Sequence, residues 1–325
     1  KERNINTSFL QKIPGVKKFF RGFIWLMPLA IEQFNLSDFD LVISVSHSYA
    51  KGIITKPRTK HICYCLTPTR YLWHDAGLPF KPFSRFLLTY LRNWDYQAAQ
   101  RPDYFIADSE NVRQRIKKYY NRESKVIYPP VDISIEYKVS NIKYEKILNT
   151  KYLIPNTYYL TVGRLVPYKR FDIAVEAFSR VPDEKLLIIG DGPERKKLEA
   201  RSKRLGVKNV EFLGQVSDEE LQKYYADCKA LIFPQEEDFG IVPLEAMASG
   251  RPVIAYRAGG ALETVKEGET GVFFDEQRPE SIFEAVKNFK EHNFNTGKIR
   301  EHALKFDKEV FKKKFTELLS KICYN

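Results

Sequence analysis

The sequence predicts an α/β fold of two Rossmann-like, doubly wound domains facing a cleft. Three observations carry this. At 325 residues the chain is longer than one compact α/β unit usually is. Short apolar runs alternate with stretches of helical period along both halves. Between the halves lies an irregular stretch opened by Tyr128-Pro129-Pro130, where proline fixes φ and denies a ladder donor. The expected division is residues 1–150, residues 151–305, and a terminal helix over 306–325 that packs back towards the first domain.

In the first half, DLVISVS (40–46), HICYC (61–65), DYFIAD (103–108) and KVIYP (125–129) are predicted strands. Residues 82–101 carry a mixed apolar and basic helical face, and Ser109 is placed to cap the helix ENVRQRIKKYY. In the second half, strands are expected at 158–163, 185–190, 209–214, 230–234, 252–256 and 271–274. Helices are expected at about 169–180, 194–205, 218–227, 242–249 and 279–290. These strand runs are apolar throughout rather than alternating, as befits a parallel sheet covered by helices on both faces. FDKEVFKKKFTELLSKI (306–322) reads as a final amphipathic helix.

Composition narrows the function. The net charge of +12 is uneven: residues 1–150 hold 24 Lys/Arg against 13 Asp/Glu, residues 151–325 hold 29 against 28. A cationic first half points to an anionic partner, namely a membrane surface, a lipid-linked phosphate or nucleic acid. No nucleic-acid module is evident, so none is expected to bind. KKFFRGFIWLMPLAI (17–31) mixes cations with Phe19, Phe20, Phe23, Ile24 and Trp25, as interfacial segments do, and equally suits a helix covering the core. No apolar run reaches the length of a membrane span. Cys63, Cys65, Cys228 and Cys323 are too few and scattered for a disulfide framework and read as small buried thiols in a reducing cytoplasm. The five histidines, His47, His61, His74, His292 and His302, form no metal-ligand spacing, so no metal is expected. His47, just past a strand in SVSHSYAKG, is the one expected to face the cleft.

The strongest local signal is PQEEDFGIVPLEAMASGRPVIA (234–255). A buried strand ends at Pro234, an acidic loop follows, and a helix starts near Ile241 with Pro243 in its first turn. Gly240 permits close backbone approach, and the free N–H groups of the first helical turn make an anion site. Glu237 in the loop and Glu245 in the helix address different parts of whatever binds there. A second signal is TVGRLVPYKRFDIAVEAF (161–178), where Arg164, Lys169 and Arg170 follow Gly163 at a helix entrance. Cations there are misplaced against the helix dipole by roughly 0.3–1 kcal/mol each. A bound diphosphate would reverse that cost. The turn GDGPE (190–194), with Gly192, is weaker, because Arg195 stands where a dinucleotide fingerprint needs its third glycine. AGG (258–260) is either a second backbone approach or an ordinary turn.

The ordered set GRLVPYKR, GDGPE, EFLGQVSDEELQKYY, the pair Glu237–Glu245 and AGGALETV resembles family 4 of the retaining glycosyltransferases, which have the GT-B fold. The first half is similar to the bacterial mannosyltransferase branch through TSFLQKIP, MPLAIEQFNLSDFDLVISVSHSYAKG, HICYCLTPTRYLW and ADSENVRQRIKKYY. The resemblance implies a metal-independent enzyme that moves a hexose, mannose from GDP-mannose, to a saccharide or lipid-linked acceptor in polysaccharide biosynthesis. Arg164 and Lys169 would hold the donor diphosphate, Glu237 the transferred sugar, and Glu245 the ribose hydroxyls. Gly240, Ile241 and Val242 would meet the phosphates, and the base would lie near Gly214, Gln215 and Val216. Many relatives place a His where this chain has Leu66. Nothing matches the family's opening strand and glycine-rich loop, which implies roughly 50–70 preceding residues and an exposed sheet edge without them. The expected location is the cytoplasm, peripheral on the inner face of the membrane. The competing readings are a UDP-sugar-dependent transferase of the same family and a nucleotide-sugar epimerase, whose product would be a free epimerised sugar nucleotide.

Overall fold

The computed structural model describes residues 4–73, 84–133 and 158–323. The chain divides into two compact units, one of Lys1–Tyr128 with Glu317–Asn325, the other of Pro129–Thr316. The expected domain boundary at 150/151 lies outside the described residues.

The first unit is built on four parallel strands in the order β1-β2-β3-β4: β1 (Leu41–Ser46), β2 (Lys60–Cys65), β3 (Tyr104–Ala107) and β4 (Lys125–Val126). Short helices α1 (Val16–Phe19) and α2 (Met27–Glu32) precede the sheet, and α3 (Arg70–Trp73), α4 (Ser84–Ala98) and α5 (Glu110–Tyr120) follow β2 and β3. Ser109 caps α5 as expected, accepting from Val112 N at 3.1 Å, and Asn121 closes it in the left-handed region (φ 51°). Cys63, Cys65, Phe105, Val112, Ile116 and Tyr120 form the core between sheet and α5. β4 is only two residues long, because Pro129 and Pro130 end the ladder that the sequence had extended to 129. β1 is an edge strand, and its Ile43 and Val45 are exposed.

The second unit has six parallel strands in the order β10-β9-β8-β5-β6-β7. They are β5 (Tyr158–Val162), β6 (Lys185–Ile189), β7 (Val210–Gly214), β8 (Cys228–Phe233), β9 (Val253–Tyr256) and β10 (Gly271–Phe274). Between them run α6 (Phe171–Phe178), α7 (Arg195–Arg204), α8 (Asp218–Asp227), α9 (Ile241–Ala248) and α10 (Ala261–Thr264). After β10 come α11 (Pro279–Asn288), α12 (Thr296–Leu304) and α13 (Lys308–Cys323). Every strand expected in this half is present. Residues Tyr159, Phe178, Leu186, Ile188, Ile232 and Ile254 make one continuous core. α6 starts two residues later than predicted. Pro167–Lys169 tightens into a 3-10 turn and Arg170 adopts a left-handed conformation (φ 53°), so helical geometry begins at Phe171. α10 and α12 had no counterpart in the sequence reading; α10 is a single turn, too short to show a period. Of the four thiols, Cys63, Cys65 and Cys228 are buried and Cys323 is exposed.

Candidate active site

In an open parallel sheet the strand order reverses once, and the loops beyond the carboxyl ends of the two strands flanking that point splay apart into a crevice. In the second unit that point lies between β5 and β8, the first strand of the unit and its fourth. The two strongest motifs in the sequence are the loops leaving these two strands.

From β5 the chain turns at Gly163 (φ 150°) and runs through Arg164 to the 3-10 turn that carries Lys169. The Lys169 ammonium lies over Gly163, 3.6 Å from where a Cβ would stand. From β8 the chain passes Pro234 and Gln235 into the acidic loop and reaches Gly240, whose φ of 89° only glycine holds without strain. There α9 begins with no side-chain cap and no acid in its first turn, so the N–H groups at Ile241 and Val242 are open to an anion.

The two loops meet in an ion pair: Lys169 Nζ donates to Glu237 Oε1, although 68 residues separate them. Both side chains are largely buried. Gln235 Nε2 donates to the same oxygen at 3.2 Å, while its own Oε1 is buried without a hydrogen bond. The backbone under Glu237 is fixed from below. Gly260 N donates to Glu237 O at 2.8 Å, and Cβ atoms at Gly259 and Gly260 would fall 2.3 Å from Glu237 O and 2.1 Å from Phe239 O. The AGG turn therefore serves to approach this loop's backbone.

The other two cations of the helix entrance behave differently. Arg170 is held by Asp172 and by the Gln277 carbonyl at 3.2 Å. Arg164 is exposed and has no ion-pair partner among the described residues. Glu245 lies one helical turn inside α9, and the Tyr225 hydroxyl of α8 donates to its Oε2 at 2.8 Å. Burial pushes the Glu245 carboxyl above the usual carboxylate range, and the Tyr225 hydrogen bond pulls against that by favouring the charged form.

The weaker candidates sort themselves by packing. Gly192 abuts the Leu165 carbonyl, 2.4 Å from where a Cβ would lie, and locks the GDGPE turn onto the loop carrying Arg164. Gly214 (φ 75°) accepts from Gly190 N at 2.7 Å. Gln215 is exposed and Val216 half-buried, just ahead of the Ser217–Glu220 capping box of α8. His47 lies in the other unit, exposed in the loop after β1; Leu66 N donates to Ser46 O beside it at 2.8 Å. His61 is a core residue: it bonds Ser44 Oγ at 2.8 Å, and burial pushes its pKa down to about 4, so it stays neutral. No group of three or more His, Cys, Asp or Glu among the described residues is arranged to hold a metal ion. A concavity of about 500 Å³ between β10 and α11 contains none of the predicted residues.

Residues 3–135 match the family described as Glycosyltransferase Family 4, and residues 150–310 match Glycosyl transferases group 1. The chain belongs to the glycosyltransferases that these two family models describe. Among curated relatives of this glycosyltransferase, an uncharacterized glycosyltransferase of Methanocaldococcus jannaschii is 30% identical over 196 residues, covering 59% of this chain and 52% of its own. A GDP-mannose-dependent alpha-(1-6)-phosphatidylinositol monomannoside mannosyltransferase of Mycolicibacterium smegmatis is 38% identical over 138 residues, 38% of this chain and 36% of its own. The match to the first of these relatives spans about half its length. Among solved structures, the Anabaena protein HepE in complex with UDP-glucose shares the fold, with a TM-score of 0.65 and 21% identity over 98% of this chain and 85% of that one.

Two members of this candidate site escaped the sequence reading. Gln235 sits two residues past β8, and Tyr225 lies in a helix that carries adjacent tyrosines. Neither position has a local signal, because each gains its role from a partner on another element.

Proposed function

We propose that this chain is a retaining, metal-independent hexosyltransferase that takes mannose from GDP-mannose and passes it to a saccharide or lipid-linked acceptor in bacterial surface polysaccharide synthesis. One observation carries the reading: Lys169 and Glu237 meet at the switch point of the sheet, beside the uncapped N-terminus of α9. A cation and amide N–H groups suit a diphosphate, and an adjacent carboxylate suits sugar hydroxyls. Arg164 and Lys169 hold the diphosphate and stabilise the charge that builds as the bond from the anomeric carbon to phosphate oxygen breaks. The acceptor oxygen bonds to the same face of the sugar, and its proton passes to the departing phosphate. Glu245, steadied by Tyr225, takes the ribose hydroxyls, and the loop at Gly214–Val216 takes the base. Mannose as the sugar is supported by the mannosyltransferase among the relatives. A UDP-sugar is the second reading, favoured by the UDP-glucose in the HepE structure.

The test is thermal stabilisation by GDP, UDP, ADP and their sugar conjugates. A ligand at 100 times its Kd raises stability by about 2.7 kcal/mol. A GDP-selective shift that Glu245→Ala abolishes supports the reading; a UDP-selective one keeps the enzyme class and replaces the donor. The shift should also weaken on acidification sooner than an ordinary carboxylate would dictate. The Glu245 pKa is raised, so as pH falls the carboxylate takes up a proton early and loses an acceptor. Tyr225→Phe removes the bond that favours the charged form and should move that loss to still higher pH.

We further propose that the first unit works at an anionic membrane on the cytoplasmic side. Leu10, Val16 and Ala30 anchor residues 9–30 to a small core, while Phe19, Trp25 and Leu29 remain exposed. Among the described residues no helix is long and apolar enough to cross a membrane. Vesicles containing anionic lipid should retain the protein at low salt and release it at high salt. Equal retention by neutral vesicles, or none by either, would remove this part of the proposal.

A further inference from the structure

The ion pair at the switch point places a carboxylate against the cation that the leaving group needs. Lys169 Nζ is engaged by Glu237, and both side chains are shielded from water, exposing 10% and 19% of their surface. Glu237 is held in place by Gln235 Nε2 and by the Gly259–Gly260 turn packed beneath its carbonyl. A diphosphate that recruits Lys169 therefore strips Glu237 of its counter-charge and brings further negative charge close to it. A largely buried carboxylate without a counter-charge is costly, and the cost falls on whichever complex fails to supply a new donor.

Given the nucleotide-sugar reading above, on which this inference rests, two ligands meet that demand differently. A nucleotide sugar places hydroxyl donors beside Glu237 as it takes Lys169. A nucleoside diphosphate alone takes Lys169 and offers Glu237 nothing. We propose that Glu237 is a specificity-determining residue that selects the charged donor over the spent nucleoside diphosphate. Once the sugar has left with the acceptor, Glu237 recovers Lys169 and speeds product release. Its position suits both duties, since the carboxylate that accepts from Lys169 lies beside the cation that a diphosphate would recruit.

The experiment measures affinity of the full chain for GDP, UDP, GDP-mannose and UDP-glucose in wild type, Glu237→Gln and Glu237→Ala. Both variants should bind the preferred nucleoside diphosphate tighter, roughly tenfold, as expected when a competing charge-assisted hydrogen bond is removed. Neither should bind the matching sugar nucleotide tighter, so the preference for the charged donor collapses. Added salt should narrow the gain, because it is electrostatic in origin. Unchanged or weaker diphosphate binding in both variants, with wild type binding normally, overturns this role for Glu237 and leaves the donor site standing. A gain confined to Glu237→Ala also overturns it, because added space rather than lost charge would be the cause. If none of the four ligands binds any of the three proteins, the donor-site reading falls and this inference falls with it.

Discussion

Lys169→Ala is expected to lower kcat/KM by roughly two to three orders of magnitude, the usual consequence of removing a preorganised group from a developing negative charge. The ammonium is almost wholly buried at the carboxyl end of the sheet, poised over Gly163. In so dry a setting a single charge acts far more strongly on a leaving diphosphate than it would in water. The substitution does double harm, because it also leaves Glu237 without its cation where the proposed diphosphate would sit. The loss should appear in kcat as well as KM, since charge on the leaving oxygen grows towards the transition state. Lys169→Arg should recover little, because a planar, forked guanidinium does not reproduce the compact ammonium's place over Gly163 and against Glu237. If Lys169→Ala kept its rate to within roughly threefold, less than 1 kcal/mol on the barrier, the leaving group would have to be stabilised elsewhere and Arg164 would be the next cation to remove.

Asp95→Asn is expected to destabilise the first unit by about 3–5 kcal/mol, the cost of breaking a buried charge pair from one side. Asp95 is fully buried on α4, and each of its oxygens accepts two hydrogen bonds. Oδ1 takes Lys51 Nζ at 2.5 Å and Thr69 Oγ1 at 2.7 Å; Oδ2 takes Trp73 Nε1 and Tyr120 OH, both at 2.8 Å. Lys51 is 1% exposed, bonds the Ser48 carbonyl at 2.6 Å and faces the Tyr120 ring. The network thus ties together the loop after β1, which bears His47, the loop after β2, and helices α4 and α5. An amide at position 95 would strand the ammonium and turn a donor towards other donors. Denaturant unfolding reads the loss. Adding Lys51→Met should recover much of it by removing the stranded charge. An equal loss in single and double variants would place the stability in the hydrogen bonds to Thr69, Trp73 and Tyr120 instead.

The same contrast between near and far partners separates what was legible in the sequence from what was not. The strands of the second unit could be read because each is a mostly apolar run bounded by Gly or Pro, a signal contained within a few residues. The Ser109 cap was legible for the same reason, its acceptor and donor being three residues apart. The loops at Gly163–Lys169 and Gln235–Gly240 announced themselves through misplaced cations, a clustered pair of acids and a glycine ahead of a helix. Where a local rule was overridden, as at the start of α6, a left-handed Arg170 and a proline turn held by tertiary contacts were responsible. By itself, then, the sequence determined the fold class, the succession of strands along the second half and the two loops that form the candidate site. Only the tertiary structure decided that Lys169 faces Glu237, that Tyr225 steadies Glu245, and that Asp95 gathers Lys51 across 44 residues. The physical reason is strand order. Periodicity says which face of an element is buried, but a side chain's partner depends on which strand lies alongside, and placing β8 next to β5 is a choice of the folded sheet as a whole.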